Sequence, residues 1–264
     1  MQSKAMKRGG AAILLPLMTA AVLLTGCGEP KAAKEARLQG ISQMKEEKYA
    51  EAIASFDTAL DEAGGVVNEF ELDILKYRAE AEYMLADFTA SAHTYGILAE
   101  VDEGKPEYFY FKTASEAQAG NLETAKEDFN RAATADGGTY AADTPGAGLA
   151  LTSLAAAARD AGDSQGAAEF CRQAIESGVS GPEIYNQMGM SLCDAGQYEE
   201  ALQYFEEGLS LADTRTAAEI RRNMGALYEK KGDFAKALEV LKECAASGGM
   251  TPELEKEIAF LESR

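Results

Sequence analysis

The sequence predicts an all-α protein, a solenoid of about six helix–turn–helix repeats closed by a C-terminal capping helix. Three observations carry that expectation. Alanine is abundant, tryptophan is absent and only six prolines occur in 264 residues, a mix that favours helices over strands. A fixed spacing of small and bulky residues recurs six times along the chain. Gly-Asn or Gly-Asp pairs punctuate several of those recurrences where helices should stop and start.

The spacing is a small residue, a second small residue twelve later, a bulky residue four further on and a small residue three beyond that. It runs Gly40-Ala52-Phe56-Ala59, Ala79-Ser91-Tyr95-Leu98, Thr113-Ala125-Phe129-Ala132, Ala155-Ala167-Cys171-Ala174, Gly189-Ala201-Phe205-Gly208 and Gly225-Ala237-Leu241-Cys244. Of eighteen small slots only Leu98 is not Gly, Ala, Ser, Thr or Cys, where chance would fill roughly seven. Antiparallel helices approach closely only where side chains are small, and the bulky residue is expected to fill the space between one helix pair and the next. Gly120-Asn121, Gly162-Asp163, Gly196-Gln197 and Gly232-Asp233 fall midway between the first two small slots, as turns should. Between equivalent residues the intervals are 39, 34, 42, 34 and 36. The longest covers 135–148, rich in glycine, which reads as a loop and possible bend between two three-repeat halves, 34–134 and 149–249. A smaller insertion follows repeat one at 64–69. Thr251-Pro252-Glu253 gives an N-cap, a first-position proline and acid in the first turn. Leu254, Ile258 and Leu261 then form the apolar stripe of a capping helix over 250–264.

Segments such as 186–209 (NQMGMSLCDAGQYEEALQYFEEGL) and 223–245 (NMGALYEKKGDFAKALEVLKECA) resemble tetratricopeptide repeats, and the resemblance extends over about 34–249. Sel1-like repeats are the alternative assignment. Repeats two and four depart most, with Leu98 bulky in a small slot and Cys171 in place of an aromatic. The resemblance implies a right-handed superhelix whose concave face, built from the first helix of each repeat, binds peptides or helices. On that geometry Tyr77, Tyr83, Tyr110, Phe111, Asn186, Gln187, Met190, Arg222 and Asn223 would line the groove. Such a mix of aromatics, amides and arginine suits a protein partner. The carboxylate clamp of chaperone-binding members is absent.

The N-terminus reads as an address. Lys4, Lys7 and Arg8 precede an apolar run, 11–24, too short to span a bilayer and typical of a secretory signal. Leu24-Thr25-Gly26-Cys27 then resembles the lipobox of bacterial lipoproteins. This makes 1–26 a signal peptide, Cys27 the lipidation site and 27–33 a tether reaching about 20 Å when extended. Two acyl chains anchor stably where one does not. The expected location is the extracytoplasmic face of the cell membrane, with the lipid as the membrane contact.

Charge and side-chain inventory narrow the function. The formal net charge is −19, and a chain beginning at Cys27 would carry 22 basic and 44 acidic residues. That excludes nucleic-acid binding through phosphates. A single histidine, His93, no Cys-x-x-Cys pair and no glycine-rich phosphate loop leave zinc, nucleophilic and nucleotide chemistry without parts. No enzyme activity, cofactor or metal is expected. Cys171, Cys193 and Cys244 fall at core-like helical positions and read as buried free thiols, with a Cys171–Cys193 bridge as the alternative in an exported protein. The function that follows is an envelope scaffold recruiting an unidentified protein or peptide. Capture of a peptide or cell-wall fragment in the groove is the alternative.

Overall fold

The computed structural model describes residues 29–64, 67–138 and 143–264; the signal segment and Cys27 lie outside them. Those residues form thirteen α-helices and no strand. They divide into two compact units that meet between Met84 and Leu85. That boundary falls inside repeat two.

The first unit holds α1 (Lys31–Lys45), α2 (Tyr49–Ala63) and α3 (Glu69–Met84). Helix α1 begins at Lys31, so only 28–30 separate it from Cys27, a shorter tether than 27–33. Pro30 sits at its N-cap and supplies the φ that a helix start requires. The core of this unit is Ala52, Phe56, Ala59, Ile74 and Ala81, with Ile41, Met44, Leu60 and Tyr77 packed around them. Phe56 and Tyr77 stack at 5.9 Å.

The second unit holds α4 (Phe88–Val101), α5 (Pro106–Gln118), α6 (Leu122–Ala135), α7 (Ala147–Asp160), α8 (Ser164–Glu176), α9 (Pro182–Asp194), α10 (Tyr198–Leu211), α11 (Thr214–Lys230), α12 (Phe234–Cys244) and α13 (Pro252–Glu262). A five-residue π-helical turn, Ala245–Gly249, joins the last two. From α5 to α12 the helices pair as successive antiparallel hairpins, each packed on the next. Within this unit the chain is a solenoid, and α13 caps α12 through buried Leu254 and Leu261.

The spacing rule has a more local cause than the sequence suggested. A Cβ on Gly189 would stand 2.6 Å from the Phe205 ring, one on Gly40 2.5 Å from Phe56, and one on Gly225 2.5 Å from Leu241. The bulky third residue of the spacing therefore seats on the first small slot of its own hairpin, instead of merely filling the gap to the next. Leu98, the one bulky intruder, is fully buried in α4, which packs on α5.

The turns follow one pattern. At Gly162, φ is +84°; its N–H donates to Arg159 O at 2.9 Å, and Asp163 N–H donates to Ala158 O at 2.9 Å, closing α7. Asp163 Oδ1 then accepts from Gly166 N at 2.8 Å and opens α8. Repeats one and two place Glu47 (φ +58°) and Ala86 (φ +64°) where the later repeats have glycine. Between repeats three and four the stacking changes: against the preceding hairpin, α7 packs mainly on α5, whereas α9 packs mainly on α8. The long connection between Ala135 and Ala147 permits this shift. Its last residue, Gly146 (φ +88°), lies against Phe111, 3.1 Å from where a Cβ would be.

Three substitutions test this packing. Gly189→Ala should cost about 1–2 kcal/mol, because overpacking of about 1–3 kcal/mol outweighs the helix propensity gained. Gly96→Ala should stabilise by up to about 1 kcal/mol, since a Cβ there meets only the flexible Lys112 chain at 3.8 Å. Chemical denaturation of both variants would show whether the same substitution changes sign between the two helices. Glu47→Gly should add roughly 0.5–1 kcal/mol by relieving a left-handed non-glycine residue; an unchanged or lower midpoint would contradict this.

Candidate interaction surface

The nine residues expected in the groove have different fates. Tyr110 is fully buried and Phe111 is 8 % exposed, so neither is offered to a partner. The Tyr110 ring meets Phe129 edge-on at 5.7 Å and its hydroxyl donates to Asp136 Oδ2 at 3.2 Å. Phe111 stacks on Tyr95 at 5.2 Å. The physical reason is that α5 is covered by α4, α6 and α7 together. All four successive aromatics from Tyr108 to Phe111 are buried, although they point in four directions around the helix. In the first unit, Tyr77 is half-buried between Phe56 and the Arg37 guanidinium, which sits 5.6 Å from its ring. Tyr83 is half-buried near the end of α3.

The remaining five lie on the first helices of repeats five and six, where they form a polar ladder. Gln187 Nε2 on α9 donates to the Thr152 carbonyl on α7 at 3.0 Å. Arg159 on α7 donates to Met190 Sδ on α9 at 3.1 Å. Asn223 Nδ2 on α11 donates to Asn186 Oδ1 on α9 at 2.8 Å, and Lys230 reaches Asp194 at 2.7 Å. Arg222 donates to the Gly249 carbonyl at 2.7 Å. Apart from Asn186, which is 9 % exposed, the five are half-exposed. Thr152, Arg159, Asp194 and Lys230 were not singled out from the sequence. Their signal was only the helical spacing that places them on the same helices as the expected residues.

The other side chains considered for chemistry are accounted for. His93 is exposed on α4. Cys171, Cys193 and Cys244 are buried free thiols. Burial pushes the Cys171 thiol up to about 12, against the opposing hydrogen bond to Ser191 and the charge of Arg159. It raises Cys193 as well, so neither supplies a reactive thiolate. Burial also raises the carboxyl of Glu80 on α3 to about 7. Among the described residues no three His, Cys, Asp or Glu side chains are grouped to hold a metal. No helix among them is long and apolar enough to cross a membrane.

Tyr110→Ala should therefore act on stability. Losing a fully buried aromatic costs about 3–5 kcal/mol, whereas Gln187→Ala, on the half-exposed ladder, should cost about 1 kcal/mol. Parallel thermal melts test the contrast; equal shifts would mean that Tyr110 is not core.

Comparison with known proteins agrees with this architecture. Residues 114–182 and 182–247 each match a family model described as tetratricopeptide repeat. Two curated proteins, the Photosystem I assembly proteins Ycf3 of Prochlorococcus marinus strains NATL1A and NATL2A, are 30% and 28% identical over 88 residues. That match covers 33% of this chain and 51% of theirs, so the chain spans about half the length of the curated relatives it matches. Among solved structures, a tetratricopeptide repeat protein from Parabacteroides merdae superposes with a TM-score of 0.60 at 16% identity, covering 87% of this chain and 84% of that one. The Cut9–Hcn1 hetero-tetramer of the APC/C gives 0.62 at 17%, covering 87% of this chain but only 42% of that one. YrrB, a TPR protein with an unusual peptide-binding site, gives 0.52 at 21%, covering 73% and 91%. At these identities the likeness speaks for fold alone. The two family matches together run over just over half of the chain, from 114 to 247, and with the hairpin geometry they make this a tetratricopeptide-repeat protein.

Proposed function

We propose that this chain is a lipid-anchored, extracytoplasmic scaffold of a bacterial cell envelope, which holds a protein partner on the first helices of its repeats. Tetratricopeptide arrays are interaction modules, so a protein or peptide partner is implied by the fold. The observation that carries the choice of surface is the polar ladder across α7, α9 and α11. Its amides and guanidinium groups stand half-exposed on a face where the hairpin interiors are apolar, and they can exchange hydrogen bonds with an incoming chain.

Support for the anchor is chemical. The thiol of Cys27 can form a thioether with a diacylglyceryl group, and Leu24, Thr25 and Gly26 provide the aliphatic and small residues that precede such a cysteine. The acidity of the chain keeps its body away from anionic headgroups, so the acyl chains alone would hold it at the membrane.

The two parts are tested together in cells. Cys27→Ser, whose hydroxyl cannot form the thioether, should abolish labelling by a lipid probe and either release the protein from the membrane fraction or stall it uncleaved. Persistent labelling would disprove lipidation at Cys27. Gln187→Ala combined with Asn223→Ala, in the wild-type anchor, should weaken capture of the cross-linked native partner by about 2 kcal/mol, read well below the melting range because each lost ladder bond also costs about 1 kcal/mol of stability. Unchanged capture would move the partner to another face.

A further inference from the structure

The capping helix α13 is fastened by little apolar surface. Leu254 and Leu261 are its only buried side chains, and they pack with Ala237, Leu241 and Cys244 of α12 and Ala218 of α11. Glu257, three residues after Leu254, shares that inward side and is half-buried. Its carboxyl lies within hydrogen-bond reach of the Glu229 carboxyl on α11. Two ionised carboxylates can only accept hydrogen bonds, so facing one another they repel and leave oxygens unserved. Glu229 Oε1 is buried and accepts no hydrogen bond among the described residues. What the pair lacks is one proton.

We propose that α13 is latched by a proton shared between Glu257 and Glu229, and that ionisation of the pair loosens the helix from the end of the array. The neighbouring charges do not replace that proton. Arg222, seven residues before Glu229 on the same helix face, attracts Glu257, but its Nη2 is bound to the Gly249 carbonyl and its Nε has no partner. Elsewhere on α11, Arg221 pairs with Glu243 of α12 at 3.7 Å. Lys242 of α12 pairs with Glu262 at 2.7 Å. Cys244 donates to the Ala218 carbonyl, and the turn 245–249 (AASGG) has no ionisable side chain. On α13 itself Glu253, Glu255 and Lys256 are exposed.

Burial, then the contact with Glu229, holds the Glu257 carboxyl above the ordinary glutamate range, against a smaller opposing pull from Arg222. A carboxyl whose value is raised in the docked state keeps a proton that the undocked helix gives up. Its contribution is therefore full below the ordinary glutamate value and is lost as pH rises through the raised one.

Amide hydrogen exchange of the full chain, corrected for intrinsic rates and read on peptides covering 252–262, tests the latch at about pH 4, below the ordinary glutamate value, and at about pH 8. Protection of α13 in the wild type should fall at least about threefold from the lower pH to the higher, as the docked proton is lost, while α9 is unchanged. Glu257→Gln supplies a permanent N–H donor to Glu229 and should hold α13 protection constant within about twofold. Lys256→Gln, an exposed neighbour, should behave as the wild type. A wild type with pH-independent protection, or a Glu257→Gln variant that keeps the full fall, would overturn the latch.

Discussion

The close seat of one bulky side chain on a missing one is the contact on which this architecture depends. Phe56 on Gly40, Phe205 on Gly189 and Leu241 on Gly225 bring the two helices of a hairpin to a separation that no Cβ tolerates. A ring or isobutyl group placed there meets backbone on one side and its own helix on the other, which is the density a protein interior needs. The small residues at the second and fourth slots are consequences of the same approach. Ala52, Ala59, Ala201 and Ala237 are all fully buried, since the second helix must lie flat against its neighbours on both sides. Each hairpin is thus closed locally, and long-range order is added by stacking one hairpin on the next.

This explains which features were legible in the sequence. The spacing twelve, four, three is a property of a single hairpin, so it survives whatever the neighbouring repeats do. The turns were legible for the same reason: Gly162-Asp163 closes one helix and caps the next through bonds that stay within nine residues, 158–166. Tyr110 and Phe111 were misplaced because their environment depends on a helix far along the chain. The expectation that they face a groove holds only if α5 has one open side, and α7 covers that side after the long connection. Nothing in the local pattern of four consecutive aromatics distinguishes a groove from a helix buried all round. The boundary at Met84 was likewise illegible, because both sides of it carry the same repeat spacing.

The acidity of the chain fits this division between local and distant. Two of the buried carboxylates are paired: Glu82 with Arg78 at 2.7 Å, and Asp128 with Lys112 at 3.0 Å. Most other ion pairs are exposed and contribute about 0–1 kcal/mol each. The surplus of carboxylates on the helix surfaces is therefore not part of what holds the hairpins together. It is free to serve solubility and to set the sign of the field around the protein.

The first-helix face of the second unit stands apart from both the apolar interior and the acidic surface. Its polar contacts between neighbouring first helices are few, Gln187 to Thr152 and Arg159 to Met190 between α7 and α9, and Asn223 to Asn186 and Lys230 to Asp194 between α9 and α11. Each net contribution is about 0.5–1.5 kcal/mol, small beside the buried aromatics of the hairpins. A face tied together this weakly can trade internal bonds for bonds to a partner at little cost, whereas the glycine seats beneath it cannot move without breaking the repeat. Rigidity in the hairpins and exchangeable polarity on the ladder are therefore supplied by different residues of the same helices. In α9, Gly189 is pinned under Phe205 while Gln187, two residues earlier and pointing the other way, remains half-exposed. Binding properties can then change at the ladder positions without disturbing the spacing that folds the chain.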